Sequence, residues 1–99
     1  MSQKVGTIRR STIEKTAIFL KDLHDRTKND YTKLGLNDLL SIYGLNHGIQ
    51  KVLRDEEYVL FRDKGRNGME YKWHVGEPNL AMAKIVLQKT NRLTNKKRE

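Results

Sequence analysis

Residues 36–55 read Leu36-Asn37-Asp38-Leu39-Leu40-Ser41-Ile42-Tyr43-Gly44-Leu45-Asn46-His47-Gly48-Ile49-Gln50-Lys51-Val52-Leu53-Arg54-Asp55, two apolar stripes interrupted by a glycine. Leu36, Leu39, Leu40 and Tyr43 stand at i, i+3, i+4 and i+7, the spacing that lines one face of a helix. Asn37 is a candidate N-cap. Gly44, with no Cβ to clash, can take the left-handed conformation that ends a helix. A short helix and a tight turn are therefore predicted. Beyond the turn Asn46 can cap a further helix, in which Leu45, Ile49, Val52 and Leu53 form one stripe. At about 100° per residue, His47, Gln50, Lys51 and Arg54 gather on the opposite side. The segment Asn46 to Asp55 thus has one face to bury and one able to hydrogen-bond another molecule. Asp55, Glu56 and Glu57 put negative charge at the negative end of the helix dipole, so regular helix is expected to stop there.

Upstream, Ser11 and Glu14 have capping-box spacing, and Ile13, Ala17, Leu20 and His24 recur at helical intervals, widened by Phe19 and Leu23. A first helix over Thr12 to Arg26 follows. The polar segment Thr27 to Leu34 contains a Tyr31-Thr32-Lys33-Leu34 stretch that could be extended. Downstream, Tyr58 to Arg62 is rich in β-formers. Met69, Tyr71, Trp73 and Val75 alternate with Glu70, Lys72 and His74, so two strands are predicted, with Asp63 to Gly68 as the hairpin loop. Pro78 or Asn79 opens a last helix whose Leu80, Met82, Ala83, Ile85, Val86 and Leu87 are apolar almost all round. So much apolar surface raises the expectation of a homodimer through this C-terminal helix.

The order helix, helix, tight glycine turn, helix, hairpin, helix resembles the winged helix-turn-helix superfamily of DNA-binding domains over roughly residues 11–90, on the matching residues Leu39, Leu40, Gly44, Leu45, Ile49 and Leu53. The resemblance implies an α+β, mostly helical fold: three helices, a β-hairpin wing and a C-terminal helix. It also implies double-stranded DNA as partner, with the helix after the turn in the major groove and the hairpin against backbone or minor groove. On the helix the residues expected to meet DNA are Asn46, His47, Gln50, Lys51 and Arg54. Gln suits adenine, Arg suits guanine, and Lys suits phosphate or guanine. On the hairpin they are Arg62, Lys64, Arg66 and Lys72. A small transcriptional regulator of a phage or mobile element is the role such a domain would fill.

Charge distribution alone does not select that partner: basic ends can lie along phosphates, yet taken by themselves they favour solvated tails that aid solubility, and a neutral middle favours a protein-interaction module. The 99 residues carry a formal +8, yet residues 11–83 hold eleven bases and eleven acids. The excess sits in a basic N-terminal tail, residues 1–10, and toward the C-terminus, where residues 91–99 are expected to form a second tail. Polar residues opposite an apolar stripe are also what any surface helix shows, and exposed bases commonly protect strand edges. A protein-interaction module of the same fold is therefore the competing reading, and structured RNA a third.

Other classes find no support. The chain has no cysteine, so disulfides and thiolate metal sites are excluded. His24, His47 and His74 fall on three different elements without metal-ligand spacing, so neither metal nor cofactor is expected. There is no phosphate-binding glycine loop and no nucleophile elbow, and no enzyme is predicted. Trp73 and Tyr71 have the period of a buried face, which counts against single-stranded nucleic acid. No apolar run approaches membrane-spanning length and Met1 to Arg10 lacks an apolar stretch, so a cytoplasmic protein is expected.

Overall fold

A computed structural model describes residues 8–98, with side chains through Leu93. The elements are α1 (Arg10–Thr27), α2 (Leu36–Ile42), α3 (Gly48–Asp55), β1 (Val59–Asp63), β2 (Met69–Trp73) and α4 (Leu80–Arg98), an α+β arrangement of four helices and one antiparallel hairpin.

Helix α1 begins earlier than its sequence suggests. The Arg9 carbonyl accepts from Thr12 N and Ile13 N, both at 3.1 Å, so Ser11 lies inside the first turn and does not cap it. Glu14 pairs with Arg10 one turn back, at 3.0 Å, instead of closing a capping box. Asn37 is likewise not a cap. Burial of Leu36 draws the start of α2 to Gly35, whose carbonyl accepts from Leu39 N at 2.9 Å.

Gly44 does end α2, at φ 65°. Leu45 N donates to the Leu40 carbonyl at 2.9 Å and Gly44 N to that of Ser41 at 3.0 Å, the paired bonds of a Schellman motif. Helix α3 ends on the same pair of bonds, Tyr58 N to the Leu53 carbonyl at 2.9 Å and Glu57 N to that of Arg54 at 3.0 Å. Here the left-handed residue is Glu57, at φ 60°. Regular helix stops at Asp55, at the acidic run.

In the hairpin Val59 faces Trp73, Phe61 faces Tyr71 and Asp63 faces Met69 on one side, while Leu60 faces Lys72 and Arg62 faces Glu70 on the other. The tip is a single 3-10 turn, Gly65–Asn67. The stretch before α2 is extended only at Thr32, which exchanges two backbone hydrogen bonds with Tyr71, at 2.9 and 3.0 Å. That bridge places the α1–α2 connection along the free edge of β2.

One core joins all six elements. Phe19, Leu20 and Leu23 of α1 meet Leu36, Leu39 and Leu40 of α2, Ile49, Val52 and Leu53 of α3, and Ala83, Val86 and Leu87 of α4, with Val59, Tyr71 and Trp73 from the hairpin. The predicted inward stripes are largely the buried ones, although on α1 the buried line is Thr16, Phe19, Leu20 and Leu23, with Ile13, Ala17 and His24 half-buried, and Met69 at the hairpin tip stays exposed. Helix α4 starts after Asn79, the second of the two openings the sequence offered, and Asn79 Oδ1 caps it by accepting from Met82 N at 2.9 Å. It runs on through Arg98, so residues 91–98 are its last turns and the expected boundary at 90 falls inside a helix. Of the two basic tails, residues 1–7 with Lys4, Glu99, and the side chains of Lys96, Lys97 and Arg98 lie outside the described residues. Among the described residues no helix is long and apolar enough to cross a membrane.

Candidate nucleic-acid interface

Helix α3 is held from below by Ile49, Val52 and Leu53, which fixes what its other side presents. The N-cap position of α3 is His47, one residue later than the Asn46 expected from sequence, and Asn46 Oδ1 accepts from Gly48 N at 2.7 Å across the turn that leads into the helix. His47, Lys51 and Arg54 are exposed along one strip, and Gln50 at its edge is half-buried.

Each member of the strip has a partner in the structure. His47 Nε2 lies 2.9 Å from Ser41 Oγ, across the turn that joins α2 to α3. Lys51 Nζ lies 3.1 Å from Asp55 Oδ2, one turn along the same helix. The Arg54 guanidinium stands 5.8 Å from the centre of the Phe61 ring, which itself meets Tyr71 edge-on at 4.7 Å. Arg54 is thereby braced against β1. Of these partners only Asp55 was legible in advance, through its i, i+4 spacing from Lys51.

The hairpin divides its four bases. Lys64 and Arg66 stand exposed at the tip, without an ion pair among the described residues. Arg62 and Lys72 lie on the outer face of the sheet, opposite to Phe61. Arg62 donates to Glu70 Oε1 and stacks over Tyr31, 4.1 Å from the ring centre, while Lys72 Nζ is 5.9 Å from the same ring. The Glu70 hydrogen bond raises the pKa of Arg62 above its ordinary value. The structure therefore brings Arg54 next to the inner face of the hairpin and gathers Arg62 and Lys72 into a separate outer cluster. Tyr31 reaches that cluster only because Thr32 docks on β2.

On its other flank α3 meets α4. Gly48 faces it closely: a Cβ there would lie 3.1 Å from Asn46 Oδ1 and 3.3 Å from Thr90 Cγ2, tight enough to push these neighbours back by a few tenths of an ångström. Val52, Asp55, Glu56, Lys89, Arg92 and Leu93 line the groove between the two helices, and Lys89 Nζ pairs with Glu56 Oε1 at 2.9 Å. Two of the three acids that close α3 are thus offset by bases, Asp55 by Lys51 and Glu56 by Lys89.

The remaining histidines serve elsewhere. His24 borders the packed face of α1, edge-on to Trp73 at 6.0 Å and 3.0 Å from Asp25, and His74 is exposed just past β2. Among the described residues no group of three His, Asp or Glu side chains is placed to hold a metal ion. Comparison with protein-family models, with curated proteins and with solved structures gave no match to this chain.

Proposed function

We propose that this protein binds duplex DNA in the manner of a winged helix-turn-helix domain, laying α3 in the major groove with the hairpin tip against neighbouring phosphates. The observation that carries the reading is the outward strip His47, Lys51 and Arg54 on a helix whose opposite side is locked into the core. A recognition helix must satisfy both conditions, because base edges are read only by side chains that are free to approach and rigidly mounted. The Ser41 and Phe61 contacts favour the second condition by restricting His47 and Arg54 before any ligand arrives. Lys64 and Arg66 suit sequence-independent phosphate contact at the tip. Control of transcription in a phage or mobile element is the role this reading favours.

The test is fluorescence anisotropy on a labelled random duplex from low to high salt, followed by enrichment of a preferred site from a random library. A DNA binder shows affinity that falls linearly on a log–log salt plot, and an enriched site that competes over random sequence. No duplex binding at low salt would overturn the proposal.

A second reading is favoured by a different observation. Leu80 and Ile85 of α4 remain 49% and 43% exposed. Leu80 and Ala81 also form a shallow groove with Arg10, Ile13, Glu14 and Lys84, next to α1. This face suits a protein partner or a second copy of the chain. Light scattering behind size-exclusion chromatography, showing monomer only at high concentration, removes the second copy.

A further inference from the structure

We infer that Asp55 restrains sequence-independent DNA binding by holding Lys51, an inference that rests on the duplex-DNA reading above. Lys51 and Asp55 lie on the exposed side of α3, one turn apart and 3.1 Å from contact atom to contact atom. Carboxylates hold bases elsewhere too, Glu70 holding Arg62 in the outer hairpin cluster and Glu56 holding Lys89 of α4. Arg54 differs, since its contact is an aromatic ring and it has no carboxylate partner among the described residues.

The consequence follows from what each partner does to an approaching phosphate. A carboxylate beside an ammonium neutralises it and repels the phosphate that would replace it, whereas an aromatic ring leaves the guanidinium charge available. Phosphates are the same at every position on a duplex, so the penalty set by Asp55 weighs on all sequences. A loosely seated, non-specific complex recovers nothing for it. A fitted complex recovers it when a base edge or a defined phosphate takes the place of Asp55 on Lys51.

The experiment compares random-duplex anisotropy for the wild type, Asp55→Asn, Glu77→Gln, Lys51→Gln and the double variant Asp55→Asn/Lys51→Gln over a salt series. Glu77 is a fair control because it pairs with Lys21 of α1 at 2.8 Å, and its removal changes net charge by the same amount. Asp55→Asn is expected to tighten random-duplex binding roughly 3- to 10-fold at low salt and to steepen the salt slope by about 0.9, one additional phosphate contact. Glu77→Gln is expected to change affinity less than about 2-fold, since a remote charge is screened. The gain from Asp55→Asn should vanish when Lys51 is Gln. Equal effects of Asp55→Asn and Glu77→Gln, or a gain that survives Lys51→Gln, overturn the inference while DNA binding stands. Failure of wild type and Asp55→Asn alike to bind any duplex at low salt instead removes the DNA reading and this inference with it. Native circular-dichroism spectra at the assay temperature establish that folded proteins are being compared.

Discussion

Thr27 and Trp73, 46 residues apart, share one buried hydrogen bond, with Trp73 N donating to Thr27 Oγ1 at 2.7 Å while that hydroxyl donates to the Leu23 carbonyl at 3.0 Å. Thr27 ends α1 and Trp73 ends β2, so a single hydroxyl closes a helix and fastens the hairpin to it. Thr27→Val keeps the shape and leaves the Trp73 amide unsatisfied. A loss of about 1–3 kcal/mol is expected, read by urea unfolding on Trp73, the only tryptophan. An unchanged midpoint would contradict the assignment.

Thr16 is the converse case. Its Oγ1 is buried and has no hydrogen-bond partner among the described residues. Thr16→Val removes a desolvated hydroxyl at nearly constant volume, and should be neutral or raise stability by up to about 1 kcal/mol. A loss of stability would show that the hydroxyl is satisfied.

The two Schellman turns give substitutions of opposite sign. Glu57 occupies a left-handed conformation that penalises any side chain with a Cβ, so Glu57→Gly should stabilise by about 0.5–1 kcal/mol. Gly44→Ala should cost about 1 kcal/mol, because the same conformation is already filled by the residue that suits it. Thermal melts of the two variants should move in opposite directions, and parallel shifts would refute the pairing.

For the interface, Arg54→Ala should weaken an enriched site by about 1–3 kcal/mol and relax its sequence preference. Gln50→Ala should do so less, since Gln50 is half-buried. Lys64→Ala and Arg66→Ala should weaken all duplexes alike and flatten the salt slope by about 1 each. Binding indifferent to Arg54, Lys64 and Arg66 together would place the DNA elsewhere on the protein.

Acid should loosen the tie between α1 and the segment before α4. The Lys21 hydrogen bond and charge hold Glu77 below its ordinary carboxylate pKa, so the pair favours the folded state above that ordinary value. Its contribution fades as pH falls through the lowered value. Stability of Glu77→Gln should therefore depend less on pH through the acid range than that of the wild type. Identical acid profiles would show the pair to be inert.

Local patterns were the readable part of this chain. The apolar spacing from Leu36 to Leu53, the left-handed Gly44, the hairpin and the opening of α4 at Pro78 or Asn79 all depend on residues within a turn or two of each other, and each stands in the structure where the sequence places it. Start positions were less legible. Ser11 and Asn37 have good capping chemistry, but the Arg10–Glu14 pair and the burial of Leu36 move the helix ends past them. The aromatic settings of Arg54 and Arg62 were illegible, because Phe61 and Tyr31 reach them only through strand register and through the docking of Thr32 on β2.

Sequence alone therefore determined which face of α3 is greasy and which is polar, since helical periodicity is a property of the backbone and needs no partner. Tertiary structure decided which polar residues are spoken for across elements: Arg62 by Glu70 and Tyr31, and His47 by Ser41. It also left Lys64 and Arg66 exposed at the hairpin tip. The reason is physical. Most of these pairings join side chains from different elements, and such contacts exist only once the core has set the elements at fixed distances.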